Sequence, residues 1–149
     1  MINLSKALLL YFILTLLPIA APIHETGHLF ASEYLGIGSV IESSQINKVV
    51  PLVVPLPDDA KFLFYVSGGL YQFSVFFVIS LFLDKTSELA FKMVAIQGLV
   101  EGVFETNTYM RLSRKNHVVG VVFALTYFGY VFIKDNQWIR SERELDKSQ

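Results

Sequence analysis

The chain contains a run of 22 residues, Phe62 to Leu83, without a charged side chain. A bilayer core of roughly 30 Å requires about 20 helical residues, so this run alone is long enough to cross a membrane. Two further uncharged runs extend from Ala7 to Ile23 and from Val118 to Ile133. The run that starts at Ala7 becomes long enough to cross a membrane if its helix continues to Leu35. The run that starts at Val118 is shorter than a membrane crossing requires. Together the runs predict a helical membrane protein.

A fourth apolar segment, from Leu89 to Tyr109, differs because it contains charged side chains. Lys92 lies near one end, where its long side chain can reach the membrane surface. Glu101 lies well inside. Either Glu101 or Glu105 could instead be a carboxylate at the membrane interface, and Glu105 fits that alternative more readily. A carboxylate within a membrane helix is costly, so such a residue indicates a function. We therefore expect about four transmembrane helices.

One connection between these helices is long. Residues 36–59 are rich in Val and Ile, and Pro51, Pro55 and Pro57 exclude a regular helix there. This pattern predicts a short extended or hairpin segment at the membrane surface. The expected fold is an all-α membrane protein with this segment after its first helix. Residues 1–133 would form a single domain, and residues 134–149 a charged C-terminal tail.

Composition excludes several other classes of protein. Hydrophobic residues make up 53% of the chain and charged residues 17%, with a mean hydropathy of +0.50, which argues against a soluble domain. A net charge of -1 without a basic run excludes nucleic acid as a partner. The lack of cysteine excludes disulfides and thiolate metal sites.

The first 21 residues also resemble a secretory signal. Because the apolar pattern continues past Ala21, we expect a multi-pass protein of the cell membrane.

Residues 24–28 read His-Glu-Thr-Gly-His, which is the HExxH pattern. On a helix, His24 and His28 share one face and can bind one Zn²⁺ ion. Glu25 lies beside them and can act as the general base that takes a proton from water. Pro18 and Pro22 precede the motif and favour a kink that would admit water, although membrane helices also tolerate proline without such a role.

A zinc hydrolase needs a third protein ligand and an open fourth position. Glu101 and Glu105 are predicted to lie toward the same membrane face as the two histidines, and Asp84 toward the opposite face. The two glutamates are four residues apart and share a helix face. One could bind zinc while the other accepts a hydrogen bond from a ligand imidazole. Asn107 and His117 are further candidates, and His117 is predicted to lie nearer the surface.

Three small residues, Ser67-Gly68-Gly69, lie near the start of the longest uncharged run. Small residues allow helices to approach closely, so this stretch is predicted to pack against the motif helix. Gln72 and Ser74 follow on the same run, and a role for either in binding substrate stays open.

The stretch HETGHLFASEYLGI resembles the HExGHxxxAxxxGI pattern of the site-2 protease family, which are intramembrane zinc metalloproteases. The third core helix of that family carries Leu-Asp-Gly, whose Asp completes the zinc site. Val100-Glu101-Gly102 is similar to this element, and the similarity favours Glu101 over Glu105 as third ligand. The family's Gly-Pro-x-x-Asn element is matched only by Ser67 to Phe73, which lacks the Pro and the Asn.

The resemblance implies that the substrates are transmembrane segments of other membrane proteins within the lipid bilayer. An unwound substrate could add as a strand to the extended segment, where Val49, Val50, Val53 and Val54 are the candidate substrate-binding residues. The main alternative is a catalytically inactive zinc-binding protein that binds or sequesters membrane helices. A transporter or haem-binding bundle is a third hypothesis. Two histidines on one helix face suit a single metal better than two axial haem positions.

Overall fold

The computed structural model describes residues 2–17, 19–42, 48–108 and 114–146. This part of the chain is mostly helical and contains one two-stranded sheet, as the sequence predicts. The elements in chain order are α1 (Leu4–Leu16), α2 (Ala20–Tyr34), β1 (Ser39–Glu42), β2 (Lys48–Pro51), α3 (Asp58–Ser80), α4 (Lys85–Thr108) and α5 (Arg114–Asp146).

The first predicted span is two helices rather than one. α1 ends at Leu16 and α2 begins at Ala20, and the two are bent by 51° at this break. Pro22 lies in the first turn of α2, where a missing N–H removes no intrahelical hydrogen bond. Pro18, the other residue predicted to contribute to a kink, lies outside the described residues.

The predicted extended segment is a β-hairpin. β1 and β2 pair in antiparallel fashion, with Ile41 opposite Val49 and Val40 opposite Val50. The hairpin packs against α2. β2 ends at Pro51, so Val53 and Val54 lie beyond the strand and both are exposed.

The centre of the helical bundle is α4, which packs against α1, α3 and α5. The main apolar core forms where these four helices meet and includes Tyr11, Phe76 and Met93, all almost fully buried. α3 and α4 approach so closely that a Cβ atom at Gly69 would collide with the backbone of Gly98 and Gly102. Glycine at this position therefore permits the contact.

Asp84 precedes α4 at the end of the bundle away from these glycines. Its carboxylate accepts hydrogen bonds from the Ser87 hydroxyl and from the N–H groups of Thr86 and Ser87. These bonds stabilise the charged form and hold the pKa of Asp84 below its usual value. Asp84 is thus a helix cap, which explains why a carboxylate is found in this connection.

Two helices in the described part of the chain are long and apolar enough to cross a membrane, namely α3 and the Asn116–Gln137 part of α5. The bent pair of α1 and α2 passes the same test when it is counted as one span. α4, which contains the predicted fourth span, is not among them, because charged residues are spread along its length. α5 continues as a helix to Asp146, so no helix end separates the predicted domain from its predicted tail, whose last three residues lie outside the described part.

Candidate metal centre

α2 places both histidines of the HExxH motif inside the bundle. They lie four residues apart on a continuous helix, so their rings project from one face, and both are almost completely buried. The two ring centroids are 5.0 Å apart. The motif therefore brings two imidazoles together in the interior of the bundle.

Glu105 of α4 completes this group of side chains. Its Oε2 atom lies 3.1 Å from Nε2 of His28 and 3.4 Å from Nε2 of His24. Zinc ligands at about 2.0–2.1 Å in tetrahedral geometry are separated by roughly 3.3 Å, so both distances match ligands around one ion. Among the described side chains, these three form a group whose ligand atoms all lie within 4.8 Å of one another.

Hydrogen bonds on the other side of each ring fix which nitrogen faces Glu105. Nδ1 of His28 lies 2.7 Å from the carbonyl oxygen of Phe64, and Nδ1 of His24 lies 3.1 Å from Oε1 of Gln72. Since both partners are acceptors, each Nδ1 donates. The Gln72 amide nitrogen donates to the carbonyl of Val94, which fixes its orientation.

The Nε2 lone pairs of both rings are thus directed at a carboxylate. The three atoms repel one another unless a proton or a metal cation lies between them. A proton on one ring would form an ion pair with Glu105, and the Nε2 lone pair of the other ring would still face the carboxylate. One divalent ion satisfies all three atoms, so the donor set fits Zn²⁺, for which nitrogen and oxygen ligands of this kind are usual.

The close approach of α3 to α2 shapes the centre. A Cβ atom at Gly68 would overlap Nε2 of His24 and of His28. A Cβ atom at Gly27, within the motif, would overlap the backbone of α3 at Ser67 and Gly68. The predicted packing against the motif helix is therefore confirmed for Ser67 and Gly68, whereas Gly69 faces α4.

Glu25 lies beside the centre and is held by the hairpin. Its Oε2 atom accepts a hydrogen bond of 2.7 Å from the N–H of Val49. Val49 therefore directs its N–H toward α2 and away from β1. Glu25 and His24 both line an internal cavity of about 40 Å³ between the helices. The candidate general base thus lies next to the metal ligands and to space that can hold water.

Glu101, which the resemblance favours as third ligand, lies in a different environment. Its Oε1 atom accepts hydrogen bonds of 2.9 Å from Nδ1 of His117 and 2.9 Å from Nε2 of Gln97. The structure brings Glu105, the alternative ligand, to the two imidazoles and directs Glu101 toward α5. The reason is that Glu101 is one turn earlier on α4, where the neighbouring helix presents His117.

Gln72 orients a candidate metal ligand, a role that the sequence does not assign to it. The sequence indicates it as a candidate for substrate binding, whereas the structure shows it orienting His24. A signal was present, because Gln72 is an amide within an otherwise uncharged apolar run and lies four residues after Gly68 on the same helix face. The carbonyl of Phe64, which orients His28, has no signal in the sequence.

Two further candidates lie away from the centre. Asn107 is exposed. Ser74 donates to the carbonyl of its own helix at Leu70. Neither side chain therefore contributes to the group that His24, His28 and Glu105 form.

No protein-family model matches the chain, and comparison with curated proteins and with solved structures gave no match. Membership of the site-2 protease family therefore stays a prediction from the motif.

Proposed function

We propose that the chain is an intramembrane zinc metalloprotease that hydrolyses peptide bonds in transmembrane segments of other proteins. The observation that carries this proposal is the convergence of Nε2 of His24, Nε2 of His28 and Oε2 of Glu105 at 3.1 and 3.4 Å. Three protein ligands leave a fourth position for water or substrate, which is the arrangement of catalytic rather than structural zinc sites.

The surface of the bundle supports a location within the bilayer. Large apolar side chains are exposed around it, including Leu16 at 77% and Phe82 at 84%. Exposed apolar surface of this extent is typical of contact with lipid. We propose that α4 crosses as well, because its polar residues Glu101 and Glu105 are buried against other helices and do not face outward. The protein would then be multi-pass, with the bent pair, α3, α4 and α5 as its four crossings.

The chemistry follows from the residues around the ligands. A bound Zn²⁺ would activate water and polarise the scissile carbonyl. The Glu25 carboxylate would take one proton from the attacking water and deliver it to the nitrogen of the leaving amine. A bond from water oxygen to the carbonyl carbon forms, and the carbon–nitrogen bond breaks. Gln72 and the carbonyl of Phe64 would hold the two imidazoles in place throughout.

The hairpin supports a mode of substrate binding. A helical substrate must unwind before its peptide bond can be reached, because helical backbone groups are already hydrogen-bonded. The outer edge of β2 lies beside Glu25, since the N–H of Val49 reaches this carboxylate. A substrate strand that adds to this edge would donate its N–H groups to carbonyls of β2, because the N–H of Val49 is bonded to Glu25 and Pro51 has none. Its peptide bonds would then lie next to the base. Val53 and Val54 would contact it only if the substrate extends past the end of β2.

One observation favours the alternative of an inactive zinc-binding protein. Oε2 of Glu25 is held by the backbone of β2, and a carboxylate held away from the zinc-bound water would not deprotonate it. Zinc binding without hydrolysis would follow.

The test uses the full chain purified in detergent micelles with a peptide that contains a transmembrane segment as substrate. We expect one zinc per chain by elemental analysis. The Glu25→Gln variant should keep this zinc while its cleavage rate falls by roughly 10²–10⁴-fold, because only the base is lost. Glu33→Gln, which removes an exposed carboxylate from the same helix, is the matched control and should cut normally.

Normal cleavage by the Glu25→Gln variant would contradict the assignment of the base. A parent protein that binds zinc but cuts none of the peptides would support the inactive alternative.

A further inference from the structure

A second cluster of polar side chains lies beside the metal centre and is not used by the proposed chemistry. The Tyr11 hydroxyl of α1 donates to Oε1 of Gln97 at 2.6 Å. Nε2 of Gln97 and Nδ1 of His117 both donate to Oε1 of Glu101. Three helices thus contribute to one connected network, and Gln97 and Glu101 are almost completely buried. Polar groups are expensive at such depth in a membrane, so the network calls for an explanation.

The cavity of about 40 Å³ connects this network to the metal centre. His24, Glu25 and Gln72 line one part of it, and Gln97, Glu101 and His117 line another. Its remaining wall is formed by Thr15, Ala20 and Ala21. Most of the lining surface of this cavity is apolar, but the polar side chains that reach it supply the two to four hydrogen-bonding partners that a water molecule needs. The volume is sufficient, because one molecule needs only about 10–15 Å³.

Exposure increases from the cavity outward. The side chain of Glu101 is 3% exposed, whereas that of His117 is 40% exposed. His117 is the second residue of the candidate span Asn116–Gln137 and therefore lies close to a membrane surface. The network reaches from this surface to the cavity that His24 and Glu25 share.

We propose that Gln97, Glu101 and His117 form a hydrated chamber that delivers water from the membrane surface to the metal centre. The inference rests on the proposed hydrolytic function, since every turnover of a hydrolase consumes one water molecule. Lipid and the apolar helix faces supply none. Glu101 and His117 act here as positioning residues that hold water next to Glu25, and neither is a metal ligand.

The test measures water access without requiring any substrate. The chain in micelles is loaded with Mn²⁺, and the relaxation rate of bulk water protons reports how readily water exchanges at the metal. The Ala21→Leu variant fills the cavity, and the Gln97→Leu variant replaces a polar wall by an apolar one of similar size. Val118→Leu, on the exposed face of α5 next to His117, is the matched control.

We expect each chamber variant to bind as much Mn²⁺ as the parent while the water relaxation falls to about half or less. The control should match the parent. If both chamber variants bind Mn²⁺ fully and relax water like the parent, water arrives by another route, such as the groove between α2 and α3 lined by Gly27 and Ser67, and the inference is overturned. A parent protein that binds no metal overturns the proposed function instead, and metal content alone reveals this result.

Discussion

Two carboxylates of α4 are one helical turn apart, and their surroundings differ completely. Both Glu101 and Glu105 are buried and project from the same side of the helix. Glu105 meets two imidazoles of α2, whereas Glu101 meets one imidazole of α5 and an amide of its own helix. Equal spacing and equal chemistry therefore lead to different sites, and the packing of neighbouring helices decides which partner each carboxylate meets.

Glycines on the neighbouring helices determine how closely these helices pack around each of the two carboxylates. Near Glu105, Gly68 lets α3 come against the two imidazoles of α2. Near Glu101, Gly120 lets α5 approach so closely that a Cβ atom there would lie 3.0 Å from Cγ of Glu101. The first approach brings His24 and His28 together with Glu105, and the second brings Glu101 together with His117 in the proposed chamber. Variants that change the surroundings of one carboxylate and leave those of the other intact test whether the two sites have separate roles.

The largest difference is expected between alanine substitutions of the two carboxylates. Glu105→Ala removes one of the three proposed metal ligands and should lower zinc affinity by more than the roughly 10–100-fold that loss of an outer hydrogen bond costs. Glu101→Ala should leave zinc affinity close to that of the parent. Competition with a zinc chelator measures both. Equal zinc loss in the two variants would show that the carboxylates do not have separate roles.

A methyl group at residue 68 should disturb the metal centre next most strongly. Gly68→Ala forces a Cβ atom into the space of both imidazoles, so we expect weaker zinc binding and a loss of stability of about 1–3 kcal/mol from overpacking. Gly129→Ala is the control, because a Cβ atom there meets nothing within 4 Å. Zinc titration and thermal unfolding are the measurements. An unchanged zinc affinity would mean that α3 is not as close to the rings as described.

Removing the hydrogen bond that orients His24 should have a smaller effect on metal binding. Gln72→Leu deletes the acceptor for Nδ1 of His24, and we expect zinc affinity to fall by about 10–100-fold. Ser74→Ala, on the exposed face of the same helix, serves as control. The same zinc competition measures both variants. Should Gln72→Leu bind zinc like the parent, the imidazole does not depend on this amide for its orientation.

The smallest effect is expected at the buried end of the chamber network, on α1. Tyr11→Phe removes one buried hydrogen bond to Gln97 and should lower the free energy of unfolding by about 1 kcal/mol. Zinc affinity should not change, because the hydroxyl does not contact the metal ligands. Tyr34→Phe, at an exposed position, is the control. A clear loss of zinc in Tyr11→Phe would show that the two polar regions are coupled.

Much of this arrangement could be predicted from the sequence. Uncharged runs indicate helices, three prolines indicate an extended segment, and small residues indicate close helix contact. The i,i+4 spacing of His24 and His28 is by itself enough to place both on one helix face. These features are local, so they depend on a few neighbouring residues.

The assignment of the third ligand could not be settled in this way. The similarity of Val100-Glu101-Gly102 to a family element compares residue types only and does not locate the side chains in space. A shift of four residues along a helix moves a carboxylate by about 6 Å. Which of Glu101 and Glu105 reaches the histidines depends on how α2, α3 and α4 stack. The orienting role of Phe64 is equally non-local, because any residue can offer a backbone carbonyl.

The close contact at Gly68 also gives a practical criterion for other chains that carry the HExxH pattern. Five residues recur by chance, whereas the opposing helix must in addition leave room for two rings. A bundle with even a small side chain at this point would have to separate its helices, and the third ligand would move out of reach. The size of one residue on a distant part of the chain therefore helps to distinguish a coincidental motif from a site that can bind a metal ion.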